Sequence, residues 1–196
     1  NNYFWLTSIL SFMVNDAFDP KLIKFLKIDI RQYPAKAFNL DFIHMHGFTV
    51  PSLLAYSYHP DKQVSFRAAW LLEHVCIQQP AVISSIYNSF ITQLPNQQHW
   101  GTIRSYTKIG MLSTDAKTAI SHTFEQEEVL IERCFHWLIH PDCPVAVLVN
   151  CLDILCNLRK NNLWIEDELS AQIEHLLKNP TPALASRAKR VWKRMA

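Results

Sequence analysis

Three short passages of this chain copy one another. His59-Pro60-Asp61-Lys62-Gln63-Val64-Ser65-Phe66-Arg67 is echoed by His140-Pro141-Asp142-Cys143-Pro144-Val145 and by Asn179-Pro180-Thr181-Pro182-Ala183-Leu184-Ala185-Ser186-Arg187. Pro60 and Pro141 stand 81 residues apart, and Pro141 and Pro180 stand 39 apart, so the first gap holds two units and the second holds one. The missing unit falls near Gln97: Arg104 follows it by seven residues, as Arg67 follows Pro60 and Arg187 follows Pro180. A unit of about 40 residues cannot bury an apolar face alone; it is stable when stacked on copies of itself.

The units read as helices. Val64, Ala68, Leu71, Leu72 and Val75 keep a 3.6-residue period, as do Val82, Ile83, Ile86, Phe90 and Ile91. Ile131, Phe135, Leu138 and Ile139 give the next stripe, then Val145, Val149, Leu152 and Leu155, then Ile165, Leu169 and Ile173, and finally Leu184, Ala188, Val191 and Trp192. Asp19-Pro20, Pro34, Pro51 and Asp61 mark helix starts, and Thr114-Asp115 is expected to cap a short helix after the one covering about 100–112. No segment alternates with period two. Three glycines against ten prolines also suit helices, because sheet hairpins need glycine whereas helical arrays need proline to start and stop.

On Asp61, Val64, Arg67-Ala68-Ala69 and Leu72, with their weaker copies, residues 50–196 resemble the HEAT-like and armadillo-type helical repeats. The unit at 140 departs from the pattern with Leu148 in the arginine's place, and the unit near 97 lacks the Pro-Asp turn. The resemblance implies an all-α fold, a short right-handed α-α solenoid of four to five helical hairpins. It also implies that the turn aspartate or a neighbouring repeat pairs with each repeated arginine. With only Asp61 cleanly placed, Arg104 and Arg187 are expected to be freer than Arg67. Residues 1–196 form one domain on this reading, with 1–48 as an amino-terminal capping segment.

With 49% hydrophobic and 18% charged residues, the chain has the material for a continuous core. Cys76, Cys134, Cys143, Cys151 and Cys156 are odd in number and lie in apolar helical patterns, which points to reduced core thiols and a cytoplasmic location. The apolar stretch from Phe4 to Val14 is about half the length a bilayer requires. No basic residue precedes it, which disfavours a secretory signal. The chain opens at Asn1 instead of methionine, so its first residues say little about location.

Charge is polarised. Arg187, Lys189, Arg190, Lys193 and Arg194 share the last helix with no acid from Thr181 onward; without these five, fourteen basic residues face seventeen acidic ones. Such a helix suits an acidic protein surface, nucleic acid or anionic lipid, or simply a solvated end. Trp70 and Trp100 lie on second helices, the ones that line the concave side in this kind of solenoid, where they either pack the core or grip a partner. Cys134, His136, His140 and Cys143 invite a zinc reading, but His140 is the counterpart of His59 in the repeated turn, so no metal is assigned. No phosphate loop, nucleophile elbow or paired Cys-x-x-Cys is present, and no cofactor is implied.

The resulting expectation is a non-enzymatic interaction module that binds a protein or peptide on its concave face through Arg104, Lys108, Trp70, Trp100, Arg187 and Arg190. The alternative is a nucleic-acid-binding protein similar to the HEAT-like glycosylases of alkylated DNA, which would require those cations to share one groove.

Overall fold

A computed structural model describes residues 18–118 and 120–195. The Phe4–Val14 stretch lies outside them. Among the described residues there are ten α-helices and no strand: α1 (Pro20–Lys27), α2 (Leu40–Met45), α3 (Val50–Tyr56), α4 (Lys62–Gln78), α5 (Ile83–Gln93), α6 (Trp100–Ser113), α7 (Phe124–Leu138), α8 (Val145–Leu158), α9 (Ile165–Leu176) and α10 (Pro182–Met195).

The starts follow local chemistry. The Asp61 carboxylate accepts the backbone N–H groups of Gln63 at 2.8 Å and Val64 at 3.2 Å, satisfying two donors that the first turn leaves open. Reciprocal side-chain and backbone bonds between Thr49 and Ser52, and between Thr123 and Gln126, fix the starts of α3 and α7. Two expected helices do not form. Pro34 opens only a single 3-10 turn, Ala35–Ala37. After Thr114 the chain turns instead of coiling, because the Thr114 hydroxyl bonds back to the Gly110 carbonyl and the Thr118 hydroxyl to that of Leu112. Side-chain bonds of this kind offer the backbone an alternative to another helical turn.

The helices after α2 pair into four hairpins, α3/α4, α5/α6, α7/α8 and α9/α10, which stack in two layers. The second helices touch in sequence, α4 on α6, α6 on α8 and α8 on α10, while α3 meets α5 and α5 meets α7 in the other layer. This is an all-α solenoid. The α1 helix packs on α4, tied by Lys27 Nζ to Asp61 Oδ2 at 2.6 Å and by the Asp19 backbone N–H donating to Tyr56 Oη at 2.8 Å.

The α8 helix is the hub, in contact with α6, α7, α9 and α10, and its apolar run Cys151, Leu152, Ile154, Leu155 and Cys156 is fully buried. Truncating a leucine there to alanine removes about 2–5 kcal/mol. Its polar exceptions, Asn150, Asp153 and Asn157, recur at three- and four-residue steps and so share one stripe. Asn150 Nδ2 donates to Thr107 Oγ1 at 3.1 Å and Asn157 Nδ2 to Thr114 Oγ1 at 3.0 Å, two side-chain bonds in identical register across α6 and α8. In the same way, the buried Glu73 of α4 accepts from the Ser105 hydroxyl of α6 at 2.7 Å.

Candidate functional site

Charged residues from three neighbouring repeats meet at the carboxyl-terminal half of the second-helix layer. Lys108 of α6, Asp153 and Asn157 of α8, and Arg187, Arg190 and Arg194 of α10 line one cleft of about 390 Å³, with Met111 and Asp115 completing its wall. The three α10 arginines fall at positions i, i+3 and i+7, which puts them on one helical face. Leu184, Ala188 and Val191 on the adjoining face are buried and anchor that helix.

Asp153 organises the cleft. It is 5% exposed and pairs with Arg187, while its Oδ1 lies 3.2 Å from Arg194 Nη1. Arg194 Nη2 also donates to Asn157 Oδ1 at 2.5 Å, and the Arg194 carbonyl accepts from Arg159. Two guanidinium groups are thereby held in fixed positions. Arg187 is therefore not the free cation anticipated from the repeat: its carboxylate comes from the neighbouring repeat. Asp61, expected to serve Arg67, is taken by Lys27, whose ammonium holds the Asp61 carboxyl below its usual range. The Arg67 guanidinium lies instead over the rings of Trp70, at 5.5 Å, and Phe66, at 5.7 Å.

Among the described residues Lys108, Arg104 and Arg190 have no carboxylate within ion-pairing distance. Partial burial pushes the Lys108 ammonium below its usual pKa; Glu73 opposes that shift, and Arg187, Arg104 and Arg190 add to it by repulsion. The cations thus act on one another across α6 and α10. Arg104, exposed one turn before Lys108, extends the same positive stripe toward α4.

The tryptophans stand apart from this cleft. Trp70 packs edge-on against Phe38 at 5.0 Å and against His74 at 5.4 Å. Trp100 begins α6 and meets His140 at 5.1 Å, between a cavity of about 520 Å³ that includes His59, Lys62 and His99 and a smaller one that includes Arg133 and His136. Burial lowers the pKa of both His59 and His99, and their ring nitrogens are engaged locally: His59 Nδ1 accepts the Asp61 N–H and His99 Nδ1 bonds Thr102 Oγ1.

A family model described as a HEAT repeat domain matches residues 42–195. The chain belongs to the HEAT repeat domain family. No curated protein and no solved structure matches it. In this HEAT repeat protein, Lys108, Arg187 and Arg190 line the same cleft, with Arg104 one turn before Lys108 on α6. Asp153, Asn157 and the anchoring role of Arg194 were missed. Their signal was present: three polar residues at helical spacing inside the otherwise apolar run from Val145 to Leu158 mark a stripe that must meet polar partners. No helix among the described residues is long and apolar enough to cross a membrane.

Proposed function

We propose that this HEAT repeat protein is a non-enzymatic interaction module whose second-helix face, the concave side in solenoids of this kind, binds an acidic segment of a protein partner. The observation that carries this reading is the convergence of Lys108, Arg187 and Arg190 on one cleft, two of them without a carboxylate partner among the described residues. Arg104 continues the binding surface. Trp100 joins it only if the partner extends to the amino-terminal end of α6, and Trp70 supports Arg67 from beneath. Residues 18–48 serve as the amino-terminal cap of a single domain. Five cysteines, none in a disulfide, support a reducing cytoplasmic setting.

Nucleic acid is the second reading, and the sharing of one cleft by these cations favours it. Against it, Asp115 and Asp153 interrupt the positive stripe, and Trp70 and Trp100 are engaged elsewhere. Titrating the protein with a degenerate glutamate-rich peptide pool, a neutral pool and a short DNA duplex separates the two. The acidic pool is expected to bind, with affinity lost on combining Arg104→Glu and Arg190→Glu. Preferential binding of the duplex, with a steep salt dependence, would select the nucleic-acid reading.

A further inference from the structure

The cleft's charges specify more than a preference for acid. It is lined by four cations, Lys108, Arg187, Arg190 and Arg194, and two carboxylates, Asp115 and Asp153, a balance of two positive charges. One glutamate side chain would leave a positive charge unmatched. A phosphorylated hydroxyl, carrying a charge of about −2 near neutral pH and three acceptor oxygens, would match both.

Donor geometry agrees. Asp153 occupies one nitrogen of Arg187, and Asp153 with Asn157 occupies both terminal nitrogens of Arg194, so these guanidinium groups are oriented before any ligand arrives. Lys108 and Arg190 approach from opposite walls with their donors uncommitted to carboxylates. Arg190 provides the forked contact and Lys108 the point charge that phosphate oxygens take, while Arg187 retains one terminal nitrogen beside them. Holding cations this close costs Coulomb energy in the free protein, which a dianion relieves.

Resting on the reading of this face as a binding surface for an acidic segment, we propose that the cleft between α6, α8 and α10 is a receptor for a phosphoserine or phosphothreonine side chain of a protein partner. Lys108, Arg190 and the open edge of Arg187 contact the phosphoryl oxygens. Asp153 acts as a positioning residue through Arg187 and Arg194.

The test uses degenerate peptide pools with a fixed central phosphoserine, serine or glutamate, and a short DNA duplex, each read by fluorescence anisotropy on the full chain. The phosphoserine pool is expected to bind at least about tenfold more tightly than the glutamate pool. Arg190→Glu should abolish that advantage, whereas Lys189→Glu, the same charge change about 100° around α10 and outside the cleft lining, should change it far less. Both are surface changes, and melting curves of the two variants report whether the fold is kept. Lys108→Met supplies an independent second removal from the α6 wall. Equal binding of the phosphoserine and glutamate pools, sensitive to Arg190, overturns the phosphoryl assignment and leaves the acidic-segment reading standing. Binding of neither pool overturns both. Stronger binding of the duplex than of the phosphoserine pool also overturns the assignment.

Discussion

Asp153 of α8 and Arg187 of α10 form an ion pair across the last two hairpins, with the carboxylate nearly closed to solvent and the guanidinium about a quarter open. Because the aspartate also holds Arg194, a single buried carboxylate ties the terminal helix to the hub of the stack.

Asp153→Asn should therefore destabilise the protein by about 1–3 kcal/mol, less than for a wholly buried pair because water can reach both arginines. Urea unfolding measures it. Combining Asp153→Asn with Arg187→Gln should cost less than the sum of the single changes; strict additivity would mean that the two do not interact in solution.

Gly110 sits where α6 crosses α8 and α7. A methyl carbon added there would lie 3.2 Å from Ile154 Cδ1 and 3.4 Å from Leu130 Cδ1. Gly110→Val should push these helices apart and cost about 2–4 kcal/mol, from overpacking that the branched side chain cannot rotate away. A thermal melt within a few degrees of the parent would show that the crossing yields.

Burial holds the pKa values of His59, His74 and His99 below the ordinary 6.5. The folded state thus disfavours their protonation, and unfolding lets them take up protons. Their contribution is fully present above pH 6.5 and is lost as pH falls through the lowered folded-state values. Stability should decline with acidification below that point. Asp61, lowered chiefly by its bond to Lys27, adds a second loss at lower pH, below the ordinary 3.8. Melting temperature measured from pH 7.5 downward, with His99→Gln beside the parent, checks the first phase: the variant's slope should be shallower.

Cys143 is half-buried, with its thiol pushed up to about 12, and Cys134 and Cys151 are wholly buried. Near pH 8 iodoacetamide should label Cys143 at least about a hundredfold more slowly than an open thiol, and the other two only after unfolding. Mass spectrometry of partially labelled protein assigns the order. Rapid labelling of Cys151 in the folded state would contradict the packing of α7 against α8.

The stacked hairpins could be read from the chain because the repeated His-Pro turn and the apolar period carry both unit length and helix type. The charged cleft was only half readable. Arg187 and Arg190 stood out as charges on the last helix, but the partner of Arg187 sits 34 residues earlier in an apolar run, and no local pattern states which helix will lie opposite it. Likewise, Asp61 looked committed to its own repeat until α1 brought Lys27 beside it. The helix expected after Thr114 failed for a local reason: threonine hydroxyls recaptured the last carbonyls of α6, a competition that capping patterns alone do not rank.

The paired bonds Asn150–Thr107 and Asn157–Thr114 span the same 43 residues and stand two turns apart on both helices. They act as the two teeth of a ratchet. Sliding α8 along α6 by a single turn would disengage both at once and strand the buried Asn150 amide, so adjoining repeats are indexed by side chains, not by the length of chain between them. Insertions in the connection between α6 and α7 should then leave the spacing of α6 and α8 untouched, so this chain can lengthen that connection without shifting one helix along the other.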